Sequence, residues 1–266
     1  MHGFPTPSLL LLNLLLLWLP YHLLVFLIKT NLYKKIEHLE PPRCQVIKQH
    51  LTNKTIFPFG YKAENTWLML CSPDYWWSFR FKDTIKQFDY LTRQSALSRF
   101  IKSNNKCNFW VSFILTSFGS VVWSYNHDAL LAQWWVSLLV LRYFSRSIEI
   151  AVAFSKDVFE EHINNSGLNK HERIRLAIIS YFEIYIYSAG AFLSLLYKPC
   201  EPCEPCKTSI STVQQAILAS LNVGTLTNVG FVMNGLSWVN IIIFVQVFAT
   251  ISLVVLSLAS YISRKD

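Results

Sequence analysis

Hydrophobic residues fall along this chain in five long runs, and the polar residues collect between them. The runs are Leu9–Ile28, Asn108–Tyr125, Ala129–Phe144, Leu176–Tyr197 and Leu236–Ile262. They approach or exceed the roughly 20 apolar residues that a helix needs to cross a bilayer. The first is almost pure leucine around Asn13, with Pro20 in its middle. No lysine or arginine precedes it and no small-residue cleavage site follows it, so it reads as an anchor rather than a signal peptide. The second and third are short. A polar turn at Asn126-His127-Asp128 joins them, and Trp123, Trp134 and Trp135 are suited to complete them at the membrane interfaces. The pattern predicts an all-α membrane protein of about five transmembrane helices.

One polar stretch breaks this scheme. Thr225-Leu226-Thr227-Asn228-Val229-Gly230-Phe231 lies between the last two runs, fed by the short segment Thr212–Leu221. It is too polar for a spanning helix and too tightly wedged for an ordinary surface loop. Irregular backbone at membrane depth is tolerated where it is buried in protein or lines a water-filled path. A re-entrant pore helix and filter loop is therefore predicted. The negative pole of the short helix would face a cation, and backbone carbonyls would replace that ion's hydration shell. The alternative is a broken helix used only for packing.

Composition agrees with a membrane class. Charged residues are 15% of the 266, well below the roughly 25% of soluble domains. Residues 29–106 carry 14 Lys/Arg, residues 142–175 carry 6, and the tail adds Arg264 and Lys265, whereas Lys198 and Lys207 are alone on the other side. The positive-inside rule then places the N-terminus outside and the C-terminus in the cytosol. The net charge of +8 is accounted for by topology and anionic lipid headgroups, with no nucleic-acid partner required.

Five regions follow. Residues 1–29 form an anchor, 30–106 a cytosolic basic and aromatic membrane-proximal region, and 107–144 a transmembrane hairpin. Residues 145–175 form an amphipathic cytosolic linker, and 176–266 the pore domain. In the second region Tyr75-Trp76-Trp77-Ser78-Phe79-Arg80-Phe81-Lys82 suits a headgroup layer, Pro41-Pro42 and Pro58 break the chain, and Asp83–Lys102 reads as a helix. In the linker, Ile148, Val152, Phe159 and Ile163 recur at helical spacing, which predicts a helix lying on the inner membrane surface until Asn164-Asn165-Ser166-Gly167. The sequons at Asn53 and Asn164 face inward, so no glycosylation is expected.

Residues 142–266 resemble the bacterial two-transmembrane pore-loop (ion channel 2) potassium channel family. Arg146-Ser147-Ile148-Glu149-Ile150 is similar to the start of that family's linker helix, and Ser180-Tyr181-Phe182-Glu183-Ile184 to the start of its outer helix. The filter is the sharpest match: the family's Thr-Leu-Thr-Thr-Val-Gly-Tyr-Gly-Asp stands against Thr225 to Met233 here. The resemblance implies a homotetrameric cation channel in a plasma (bacterial inner) membrane, with potassium as permeant ion and Thr227, Asn228, Val229, Gly230 and Phe231 as the selectivity filter. With Phe231 counted as equivalent to the family's tyrosine, three positions depart from the pattern. Asn228 replaces the threonine of the innermost ion site, Val232 replaces the second glycine, and Met233 replaces the bracing aspartate. A β-branched residue at a glycine conformation is costly, so the outer filter is expected to differ in shape and selectivity. No glycine follows Gly235 to hinge the last helix, although Ala249-Thr250 allows a modest bend. The alternative function is a non-conducting pore-loop relative acting as scaffold or partner subunit.

Other candidate chemistry is sparse. Glu183 is an acid inside the fourth run, read as a contact to the linker helix or to Arg142. Cys200, Cys203 and Cys206 in the external loop read as disulfide formers before a metal site, since three ligands do not close a zinc centre. A membrane redox or metal-handling protein built on them is a third, weaker reading. Cys44, Cys71 and Cys107 read as free thiols. No catalytic set and no phosphate loop is present, so neither an enzyme nor a resident cofactor is expected.

Overall fold

The computed structural model describes residues 7–37, 66–86, 90–125, 130–159, 167–196, 212–227 and 237–258. The described elements are all helical. They are α1 (Pro7–Glu37), α2 (Thr66–Cys71), α3 (Pro73–Ile85), α4 (Tyr90–Tyr125), α5 (Leu130–Phe159), α6 (Lys170–Leu196), α7 (Val213–Gly224) and α8 (Ser237–Thr250). A π-helical segment, Ile251–Leu258, continues α8. The all-α expectation holds for these residues. The turn at Asn126–Asp128, most of the stop at 164–167, the prolines at 41, 42 and 58, Cys44 and the sequon at Asn53 lie outside them.

Two helices, Leu11–Ile36 and Lys170–Leu195, are long and apolar enough to cross a membrane, and Val239–Val254 is a shorter apolar helix. α1 shows how its side chains divide. Leu12, Leu15, Leu16, Leu19, Leu23 and Leu27 are exposed, while Asn13, Tyr21, His22 and Lys29 are buried. One face of leucines is thus exposed, and the packed face mixes these polar groups with Leu17 and Val25.

All four predicted boundaries fall inside continuous helices, with α1 running through position 29 and α6 through position 175. α4 runs through position 106 and α5 runs through position 144, so the hairpin is not separate from the regions flanking it. At 1.5 Å per residue α4 is about 54 Å long, well beyond the roughly 30 Å of a hydrocarbon core. The predicted helix at Asp83–Lys102 is instead the end of α3 and the start of α4. The linker reading also changes: Arg146 and Glu149 are buried against the bundle while Ile148 and Val152 are only half-buried. Pairing of those charges, described below, outweighs the amphipathic pattern.

The aromatic region has a packing role. α3 starts at an N-cap, Ser72, whose hydroxyl accepts from Tyr75 N (3.2 Å), with Pro73 in the first turn. Its Phe81 and Ile85 join Tyr33 and Ile36 of α1 and Ala96, Leu97 and Phe100 of α4 in a second, small core. Phe26 stacks on Phe81 and tilts against Trp77 at 4.6 Å. Tyr75, Trp76 and Phe81 are thus buried in protein. The larger core centres on α6, which touches α4, α5, α7 and α8.

Candidate functional site

Two arrangements carry the chemistry. The first is the module α6–α7–α8. Thr212 caps α7 with a capping box: its hydroxyl accepts from Gln215 N (3.2 Å), and the Gln215 side chain accepts from Thr212 N (3.3 Å). The predicted short helix is therefore present, three residues longer at its C-terminus. α7 is wedged between its neighbours by polar contacts. Ser220 Oγ donates to Tyr185 O (2.9 Å), and Gln246 Nε2 of α8 donates to Ser220 O (2.8 Å). Tyr181 Oη donates to Gly224 O (3.2 Å).

Gly224 makes the close approach possible. A Cβ there would stand 2.3 Å from the Tyr185 ring, so only glycine admits this packing. After it the chain turns in a Schellman motif: Leu226 N donates to Val223 O (3.1 Å) and Thr227 N to Asn222 O (3.1 Å). Leu226 takes the left-handed φ of +60° that this motif usually gives to glycine. Thr225 N and Thr225 Oγ1 both donate to Leu221 O, at 2.8 and 2.7 Å. Every carbonyl from Leu221 to Gly224 therefore has a donor within the chain.

Of the predicted filter only Thr227 is described. It is exposed, with its hydroxyl 2.9 Å from that of Thr225. Asn228, Val229, Gly230, Phe231, Val232 and Met233, and the cysteines at 200, 203 and 206, lie outside the described residues. Cys71 and Cys107 are free thiols. The bend allowed at Ala249-Thr250 coincides with the change from α to π geometry at Ile251.

The second arrangement is a buried polar layer joining α1, α3, α4, α5 and α6. Arg142 is its hub. Its Nε donates to Tyr187 Oη (3.0 Å), Nη1 to Asp74 Oδ1 (2.7 Å) and Tyr21 Oη (3.1 Å), and Nη2 to Asn108 Oδ1 (2.8 Å). Asp74 also accepts from Ser145 Oγ (2.8 Å) and from the Tyr21 hydroxyl. One turn on, Arg146 makes a two-pronged pair with Glu183 (2.7 and 2.8 Å) and a second pair with Glu149. Glu149 accepts from Ser78 Oγ (2.6 Å), and Lys29 lies 3.9 Å from it while donating to Asn104. Lys29, Asp74, Arg142, Arg146, Glu149 and Glu183 are all buried, three of each sign.

Glu183 thus contacts the linker portion of α5 through Arg146, while Arg142 takes Asp74 instead. Two of the segments that carried the resemblance, Arg146–Ile150 and Ser180–Ile184, meet at this pair. Lys29, Asp74, Asn104 and Asn108 were not singled out from the sequence. A lysine ending an apolar run and an acid in an aromatic stretch look like ordinary surface residues until the helices pack.

Glu149 lies beyond the apolar part of α5. Burial pushes its carboxyl up, but Arg146, Lys29 and the Ser78 hydroxyl outweigh that and hold it well below the usual carboxylate range. The native pKa is below the unfolded one. Its stabilising share is therefore complete above the ordinary value of 4.5 and is lost as pH falls through and below it. Unfolding midpoints of wild type and Glu149→Gln should converge as pH falls below about 4.5. A gap that widens below that pH would contradict this pairing.

No family model matches the chain, and neither the curated proteins nor the solved structures yield a match.

Proposed function

We propose that the chain is a multi-pass membrane protein whose α6–α7–α8 module forms one wall of a homotetrameric cation pore, with potassium as the expected ion. The observation that carries this reading is α7 itself. It is a capped helix of about 18 Å, too short to span, wedged between two longer apolar helices and ending in exposed threonine hydroxyls. Its last residue meets Tyr181, about 22 Å along α6 from Leu196. Gln246 meets Ser220, so the chain resumes at Ser237 about 20 Å from the end of α7 along the bundle axis. These spacings support a re-entrant loop. In this reading the N-terminus is outside, the C-terminus is cytosolic, and the polar layer lies at the inner face, where the basic residues gather.

A second reading is favoured by the C-terminal cap of α7. Its terminal carbonyls are occupied by Thr225, Leu226, Thr227 and Tyr181, which suits a pore-loop relative that serves as scaffold or partner subunit. Flux separates the two. Purified protein in liposomes should pass potassium faster than sodium, and detergent-solubilised particles should show fourfold symmetry. Monodisperse protein that passes neither ion, and passes none after Val232→Gly, would leave the scaffold reading.

A further inference from the structure

α4 and α6 run parallel and stay packed along their lengths. Lys102 pairs with Glu172 at one end. Asn105 Nδ2 donates to Leu176 O (3.0 Å) and to Ser180 Oγ (3.2 Å), and Thr116 Oγ1 donates to Ile186 O (3.4 Å) further on. Residue numbers rise together on the two helices, which fixes their direction. α5 closes one side of this seam: Arg142 donates to Asn108 of α4 and to Tyr187 of α6, and Arg146 holds Glu183. The opposite side is open among the described residues.

Two exposed stripes look out there. On α4 the stripe is Lys106, Trp110 and Phe113; on α6 it is Arg175, Ile178 and Phe182. At 3.6 residues per turn, the first lies about a quarter turn ahead of the contact line through Asn105 and Thr116. The second lies about a quarter turn behind the line through Leu176 and Ser180. In parallel helices those two senses face the same way. Trp110 is 52% exposed and Phe182 54%. Ile114, Phe118 and Val121 continue the apolar face of α4. From Trp110 to Val121 the rise is about 16 Å, close to half of the roughly 30 Å hydrocarbon core, which is one leaflet.

The start of both stripes is basic. Arg99 and Lys106 of α4 and Arg175 of α6 are exposed, and none of them has a hydrogen bond or ion pair from its side chain among the described residues. α4 carries no acid, and the two acids of α6 are taken, Glu172 by Lys102 and Glu183 by Arg146. In the numbering offset that the seam contacts give, Arg175 stands between the levels of Arg99 and Lys106. The free donors are therefore all cationic and sit side by side below an aromatic surface.

We infer that this open seam holds one anionic glycerophospholipid, its phosphate between Lys106 and Arg175 and its acyl chains along Trp110, Phe113, Ile178 and Phe182. Unpaired guanidinium and ammonium groups match phosphate oxygens, and a tryptophan just above them suits the boundary between headgroup and hydrocarbon. A soluble anion would leave the apolar stripe uncovered. The Lys102–Glu172 pair stays intact, so binding breaks no contact of the fold. The site rests on the membrane part of the reading above and is independent of the pore.

Alkaline carbonate extraction comes first: a chain released from membranes overturns the membrane reading and this site with it. Embedded full-length protein is then placed in nanodiscs of phosphatidylcholine doped with phosphatidylglycerol, and lipid retained per chain is read by native mass spectrometry. Saturable preference for phosphatidylglycerol is expected. Lys106→Gln with Arg175→Gln should weaken it at least tenfold, because each basic residue near an anionic surface supplies about fivefold. Lys34→Gln with Lys35→Gln removes equal charge from an exposed part of α1 and should change it less than twofold. Equal losses in the two double variants mean diffuse attraction, and that result overturns the site alone, as does an absence of preference. A photoreactive phenylalanine analogue in place of Trp110 should label lipid. Labelling of a second copy of the chain instead would overturn the proposal in favour of a subunit contact.

Discussion

Replacing Arg142 by leucine will cost about 3–5 kcal/mol of stability, seen as a lower unfolding midpoint in detergent by tryptophan fluorescence. The guanidinium holds Asp74, Tyr21, Asn108 and Tyr187 at once, and these come from four different helices. Its loss leaves Asp74 buried with Lys29 4.0 Å away as its nearest remaining cation. An uncompensated buried charge costs more than the intact pair contributes, so the single substitution is the severe one. Arg142→Lys will recover only part of the loss, because a single ammonium cannot reproduce the planar fork that reaches all four partners. Adding Asp74→Asn to Arg142→Leu will cost less than the two singles together, since the stranded carboxylate is then gone. An Arg142→Leu protein that unfolds at the wild-type midpoint would show that the layer does not hold the helices together.

Gly224→Ala will displace α7, at a cost of about 1–3 kcal/mol from overpacking. The added methyl would overlap Tyr185, whose hydroxyl donates to Tyr181 Oη (2.5 Å), and Tyr181 in turn donates to Gly224 O. The ring cannot yield without breaking that chain. If the pore reading holds, ion flux falls with the displacement, because Thr225–Thr227 leaves directly from this end of α7. Tyr185→Leu in the same chain removes the overlap and should return part of the stability. The measurement is a double-mutant cycle of unfolding midpoints, with flux recorded in parallel. Strict additivity of the two substitutions would mean that the helices do not meet here as described.

The helices were legible where their signals are local. Apolar run length located α1 and α6, and the short stretch Thr212–Leu221 between two runs located α7, whose capping box the structure then supplied. Glu183 was recognised as an acid needing a partner within an apolar run. That partner was narrowed to two places and not chosen, because Arg142 and Arg146 lie one turn apart on the same helix and both face α6.

The apolar pattern misled in the linker and in residues 30–106. There, surface helices and headgroup aromatics were expected, and packing placed Arg146, Glu149, Trp76 and Phe81 inside. Hydropathy rates a residue alone, whereas a buried charge is tolerable only beside its counter-charge.

Local order therefore came from the chain alone: apolar runs, a short helix and a polar break, each written within a few turns. The buried layer came only with packing. Arg142 lies 68 positions from Asp74 and 121 from Tyr21, and Lys29 lies 75 from Asn104. No local pattern encodes such partners. Their choice rests on which helix faces meet, and on the high cost of leaving any one of these charges unpaired in a medium that cannot solvate it.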